Sequence, residues 1–251
     1  MKKIFTRILW AFGIVIALMV IFSSGYILKF RSEAKKMHPL ETKEIVENVF
    51  SINDSFVNMF LIKDSDQYVA IDAGNNSKAI LAELKKLNID PGKIMAVMLT
   101  HTDGDHVAGL KLFNNAKIYF SRPEEQMING KKSRFLFFGN KIYAKNYSLL
   151  DDQQIIYLGK TKIMGILTPG HTAGSMCYLI NDKFLFTGDA LSLKAGKINK
   201  FNNFFNVDSK TAAQSMSKIS NLPSAEYIFS AHYGYTSDYK NAVKDWTGVN
   251  H

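Results

Sequence analysis

A chain of 251 residues with 47% hydrophobic and 21% charged residues has room for one large domain or two small ones, and its composition is neither disordered nor repetitive. The formal charge of +9 is unevenly placed: residues 1–36 hold seven Lys/Arg against one Glu, a net +6, and the remaining 24 basic and 21 acidic residues leave only +3. So small an excess argues against a polyanion-binding domain, and the single Cys177, in an apolar run, excludes an internal disulfide and reads as a buried thiol.

In chain order, residues 1–7 form a basic flank, and residues 8–28 carry no charge over 21 positions. That length crosses a hydrocarbon core of roughly 30 Å as a helix. The segment reads as a transmembrane helix or uncleaved signal anchor, because it exceeds an ordinary signal-peptide apolar run and no small-residue cleavage site follows. Basic residues flank both ends, so charge asymmetry leaves the sidedness open, with the extracytoplasmic side preferred for the domain. Residues 29–44 are polar, contain Pro39 and read as a linker, which leaves 45–251 as the domain.

Within the domain, β-type segments are expected at 46–52, 56–63 and 67–71, a helix at 77–88, a strand at 94–99, a helix at 106–114 and a strand at 117–120. The second half repeats the order, with strands near 153–157, 162–167, 175–180 and 183–187, a helix at 208–220, a strand at 226–230 and a helix at 238–245. Two sheets covered by outer helices is the expected α/β architecture.

Of six histidines, His38 and His251 fall in the linker and at the end of the chain. The other four follow strand-like runs: His101 and His106 in 99–106 (LTHTDGDH), His171 in 168–175 (TPGHTAGS) and His232 in 229–234 (FSAHYG). Neutral imidazole is the commonest metal ligand, and strand-end loops are where a scaffold presents reactive groups. One such histidine would read as an ordinary hydrogen-bonded residue, whereas four together with aspartates suggest a site.

These segments, with Asp72 in 69–74 (VAIDAG) and Asp189 in 186–190 (FTGDA), resemble the five ordered motifs of the metallo-β-lactamase superfamily over about residues 45–245. The resemblance implies an αββα sandwich with two divalent metal ions at one edge, zinc by family. His101, Asp103 and His171 would hold one ion, Asp105, His106 and His232 the other, and Asp189 would bridge them. Asp72 would brace the histidine loop without ligating. The departure is Asp103, where most members carry a second histidine, so the motif reads His-x-Asp-x-Asp-His. A carboxylate there is a harder ligand and shifts preference towards manganese or iron; a mononuclear site is also compatible with it.

The implied chemistry is attack of a metal-bound hydroxide on a carbonyl or phosphoryl centre, with Asp105 as the catalytic carboxylate that orients it and carries a proton. Ser175, Thr100 and Thr172 read as loop hydroxyls bonded to backbone. Two acid-free loops, 126–150 and 190–207, would border the cleft. The first holds Lys131, Lys132, Arg134, Lys141 and Lys145 among Phe135, Phe137, Phe138, Tyr143 and Tyr147; the second offers Lys194, Lys197, Lys200, Phe204 and Phe205 as a substrate rim. Such a rim suits a small, anionic or amphiphilic substrate or a lipid surface. The leading function is a membrane-anchored hydrolase of an ester, thioester or lactone. A phosphodiesterase or nuclease is second, although the domain lacks the positive face that nucleic acid requires, and a non-catalytic metal- or ligand-binding membrane domain is third. β-Lactam hydrolysis is disfavoured by Asp189 in the bridging position. Glutathione thioesters are disfavoured too, because about 19 residues after His232 leave no room for a glutathione-binding domain. The oligomeric state leaves no trace in the sequence.

Overall fold

The computed structural model describes residues 2–134, 139–144 and 146–246, in two units, Met1–Met37 and His38–His251. The first unit is one helix, α1 (Lys2–Ala34), long and apolar enough to cross a membrane by length and composition. It runs beyond the expected 8–28 and through the first residues of the expected linker. Glu33 explains the extension: it pairs with Lys29 one turn before it and Lys36 one turn after it, at 2.6 and 2.8 Å, so the charged stretch carries its own i,i+4 and i,i+3 support.

The second unit is built from alternation. Strands β1 (Lys43–Val46), β2 (Val49–Asp54), β3 (Val57–Asp64), β4 (Gln67–Ile71), β5 (Ile94–Met98), β6 (Lys117–Ser121) and β7 (Tyr147–Leu150) form a seven-stranded sheet in that order. It starts as an antiparallel meander and becomes parallel from β4 onward. Parallel neighbours need crossovers, and these carry the helices α2 (Ser77–Lys86), α3 (Gly104–Val107) and α4 (Glu125–Ile128).

Strands β8 (Ile155–Leu158), β9 (Thr161–Leu167), β10 (Met176–Ile180) and β11 (Phe184–Phe186) open the second sheet. A separate hairpin, β12 (Ser192–Lys194) with β13 (Lys197–Asn199), and α5 (Ser209–Ile219) come next. Then β14 (Tyr227–Phe229) and β15 (Tyr235–Thr236) complete the sheet in the order β15-β14-β11-β10-β9-β8, and α6 (Tyr239–Val243) follows.

Side chains sort by period two into three apolar layers. On β3, Met59 and Leu61 pack outward with Ile80 and Leu84 of α2, while Phe60 and Ile62 face the second sheet. On β10, Met176, Tyr178 and Ile180 point between the sheets, and Cys177 and Leu179 lie under α5 and α6. Both faces of each central strand are therefore covered, the condition for near-continuous apolar strands. The result is the expected αββα sandwich.

Three local expectations need correction. The helix expected at 106–114 is α3 and then a 3-10 turn, Leu110–Leu112. Between them Gly109 is pressed on the carbonyl of Ala73, where a Cβ would overlap, so the chain breaks to seat against β4's end. The loops 126–150 and 190–207 contain strands, β7 and the β12–β13 hairpin. β7 exists through parallel pairing with the distant β6, which local pattern does not reveal. Phe135, Phe137, Phe138, Lys145 and His251 lie outside the described residues.

Phe60 is 3% exposed, with its ring 5.3 and 5.6 Å from those of Phe186 and Phe229 across the sandwich. Phe60→Ala should remove about 3–5 kcal/mol of stability, read as a lower denaturant midpoint of the detergent-solubilised chain.

Candidate metal centre

Every candidate ligand, and the bracing Asp72, follows a strand on the same edge of the sandwich: Asp72 after β4, His101 to His106 after β5, His171 between β9 and β10, Asp189 after β11 and His232 after β14. Strand ends of this kind, where crossovers leave the sheet, are where open sheets place their sites. The structure brings all seven expected ligands together. Three groups have donor atoms within 4.8 Å of one another: His101, Asp103 and His171; His101, His106 and Asp189; and Asp105, His106 and His232. Asp189 lies between the halves, with Oδ2 3.3 Å from His171 Nε2 and Oδ1 3.1 Å from His232 Nε2.

The outer nitrogens give the arrangement its direction. His106 Nδ1 meets Asp72 Oδ2 at 2.8 Å, His171 Nδ1 meets Asn206 Oδ1 at 3.3 Å and His232 Nδ1 meets the Phe56 carbonyl at 2.6 Å. His101 Nδ1 is 3.0 Å from Thr100 Oγ1, whose own hydrogen goes to Asp72. Each partner accepts, so each Nδ1 carries a hydrogen and each Nε2 is turned inward, where it can offer a lone pair to a metal ion once any proton on it is displaced. The Nε2 atoms of His101 and His106 are buried and have no hydrogen-bond partner among the described residues. Buried polar atoms rarely stay unpaired without a functional reason. With harder carboxylate oxygens beside them, these donors fit divalent metal ions.

Electrostatics follow from burying this set. Burial works to protonate Asp189, yet His232, His171 and His106 hold its carboxyl well below the usual range. Burial also disfavours a charged His106, but Asp105, Asp72 and Asp189 outweigh it and raise the imidazole to about 10. His171 goes the other way, to about 4, through burial and the neighbouring Arg134 charge.

Asp72 adopts a left-handed φ of 60° at the end of β4, uncommon for a residue with a Cβ. Its carboxylate thereby turns back on the next strand's loop, where Oδ1 accepts from the Thr100 amide at 2.7 Å and Oδ2 meets His106. Nothing in the sequence singles out Glu124. It is fully buried, and one oxygen accepts from the Thr102 amide and hydroxyl at 2.8 and 2.7 Å. The other accepts from the Thr172 hydroxyl at 2.6 Å and the Gly174 amide at 3.1 Å. One carboxylate thus ties the His101 loop to the His171 loop. A Cβ at Gly174 would overlap the Glu124 backbone, which is why the 168–175 segment needs glycine there. Its neighbour Pro123 in a 122–124 turn gave no local signal of this role.

The expected rim divides. Phe201, buried, stacks edge-on with His171 at 5.1 Å, and Phe205 packs against it at 6.1 Å with Phe204 beyond. Lys194 is exposed and Lys200 half-buried. Lys197 does not face the ligands: the hairpin turns it to α6, where Nζ donates to Asn241 and pairs with Asp245 at 3.0 Å. From the other loop come Arg134 and Asn140, both on Asp103; only the first stands out in the sequence, as one basic residue among several.

The sequence model of the metallo-beta-lactamase superfamily matches residues 52–232. The chain is 31% identical over 163 residues to a probable polyketide biosynthesis zinc-dependent hydrolase of Bacillus subtilis, covering 62% of this chain and 61% of that one. It is 30% identical over 179 residues to a hydroxyacylglutathione hydrolase of Buchnera aphidicola, covering 71% and 62%. The chain thus spans about three fifths of the length of these relatives. Among solved structures, a B3 metallo-beta-lactamase with an active-site glutamic acid superposes with a TM-score of 0.64 at 19% identity, over 86% of this chain and 89% of that one. A metallo-beta-lactamase family protein of Thermus thermophilus gives 0.59 at 15%, over 80% and 78%.

Removing the Asp72 carboxylate releases His106 and the Thr100 amide together. Asp72→Ala should weaken metal binding about 10- to 100-fold, measured by metal titration of the chelator-stripped protein. Glu124→Gln puts an amide donor against either the Thr102 or the Gly174 N–H. A loss of about 1–3 kcal/mol is expected, seen as a lower melting temperature.

Proposed function

The chain belongs to the metallo-beta-lactamase superfamily, and we propose that it is a metal-dependent hydrolase acting on an ester, thioester or lactone while held at a membrane by α1. The observation that carries this reading is the convergence of four imidazoles, each fixed from behind through Nδ1, on three buried or half-buried carboxylates. His101, Asp103 and His171 would hold one divalent ion, Asp105, His106 and His232 a second, with Asp189 shared. Zinc is favoured by the named relatives, and Asp103 leaves manganese or iron open. Bound there, such ions supply a Lewis acid and an activated water at neutral pH.

The protein's own groups do the rest. Asp105 is the most open of the three acids, its side chain 23% exposed against 16% for Asp103 and 6% for Asp189. Its Oδ2 lies 3.7 Å from His106 Nε2 and 3.6 Å from His232 Nε2, which supports giving Asp105 the role of orienting an attacking water and accepting its proton. The aromatic wall of Phe201 and Phe205 excludes bulk water from one side and suits an apolar acyl group. The relatives named as hydrolases of hydroxyacylglutathione and of polyketide biosynthesis support a small acyl substrate over nucleic acid, as does the modest charge of the chain after residue 36.

The test is metal analysis and a substrate panel on the full chain in detergent: esters, thioesters and lactones against a phosphodiester. Metal retention with carbonyl hydrolysis is expected, and Asp105→Asn should lower kcat about 10²- to 10⁴-fold. Turnover of the phosphodiester alone, weakening with salt, would replace the acyl reading with the phosphodiesterase one, and a chain that binds no metal would overturn both. For the anchor, carbonate washing of membranes should leave the chain in the pellet; release into the supernatant would refute it.

A further inference from the structure

Arg134 occupies a position that the metal reading assigns to a metal ion. Its Nε donates to Asp103 Oδ1 at 2.9 Å, and Nη2 lies 2.5 Å from both Asp103 Oδ2 and His171 Nε2. Nη1 donates to the Phe205 carbonyl, and Asn140 Nδ2 adds a further bond to Asp103 Oδ1 at 3.0 Å. Two of the three donors in the His101, Asp103, His171 group therefore face one guanidinium. The other group differs: among the described residues, no Lys or Arg pairs with Asp105, His106 or His232.

A guanidinium is charged at any accessible pH and offers only donors. A divalent ion binds such oxygens and nitrogens at about 2.0–2.2 Å, in the space between donors that Nη2 now bridges. Two cations cannot share that space, because neither can shed its charge and at contact distance no water fits between them to screen the repulsion. The charge balance is also complete without a second ion, since the three carboxylates are neutralised by one guanidinium and one divalent cation. Arg134 is 22% exposed, so it has a way out to solvent.

We propose that Arg134 is a built-in competitor for the metal at His101, Asp103 and His171, so that the two halves of the site fill unequally. This rests on the metal-dependent reading above. The half formed by Asp105, His106 and His232, with Asp189, fills first and tightly. The other half fills only when the guanidinium leaves Asp103 and His171, and the enzyme works with one ion at low metal supply and two at high supply.

The experiment is calorimetric titration of the chelator-stripped full chain in detergent with Zn²⁺ and, separately, Mn²⁺, with bound metal counted by elemental analysis. Wild type should take one equivalent tightly and a second at least tenfold more weakly. Arg134→Ala should tighten the second step by about ten- to a hundredfold, the size expected from removing charge-assisted hydrogen bonds, and leave the first step unchanged. Arg134→Gln, closer in shape, repeats the measurement should the alanine variant misfold, with circular dichroism reporting on both. Equal affinities and stoichiometry in wild type and folded variants would overturn the competitor role while leaving the hydrolase reading intact. Failure of wild type and variants alike to bind either metal would overturn both.

Discussion

Four imidazoles and three carboxylates are held within a few ångströms of one another at the edge of a two-sheet core, and the cost of burying that charge governs the rest of the site. Desolvation alone would neutralise Asp103 and Asp189. They stay ionised because hydrogen bonds and positive charge from neighbouring groups outweigh it, a compensation that requires every loop to be fixed in place. A divalent ion deepens the same compensation, so the geometry that makes the acids tolerable is also the geometry that binds metal.

Fixing the loops falls to two further carboxylates that point away from the centre. Asp72 reaches from β4 to the His101 loop, and Glu124 clamps the His101 and His171 loops to each other. Burial raises the Glu124 carboxyl above its ordinary range, against the pull of its four hydrogen bonds and of His101. Both work because they touch backbone amides as well as side chains, so a loop and its ligand move as one. The sandwich supplies the rigidity behind them: Tyr178, fully buried between the sheets, donates its hydroxyl to the Leu99 carbonyl at 2.7 Å, at the root of the histidine loop.

Asp103 gives the site its asymmetry. A histidine there would present a single nitrogen, whereas the carboxylate offers two oxygens and a negative charge, enough to accept Arg134 and Asn140 together. The half containing Asp103 is thereby tied to the chain between α4 and β7. Among the described residues, no Lys or Arg ties the half around His232 and Asp105 in this way, and His232 is held by a carbonyl from the β2–β3 turn.

Much of this was legible in sequence, for a physical reason. Candidate metal ligands and the carboxylates that brace them sit at strand ends and are chemically distinctive, so Asp72, Asp189 and the four histidines stand out by residue type and local pattern, and the αββα layering follows from alternation in strands such as β3 and β10. A long uncharged run likewise announces α1 without any tertiary information. What depended on contacts between distant segments was invisible. β7 is a strand because β6 lies beside it, Lys197 leaves the expected rim because α6 and the residues just after it offer Asn241 and Asp245, and Glu124 and Arg134 acquire roles only when loops dozens of residues apart meet. Sequence determines which side chains can ligate, ionise or cross a lipid core, because those are properties of single residues and short periods. Only the tertiary structure decides which charges share a desolvated pocket, since interaction energy depends on separation in space and the chain's order does not record it.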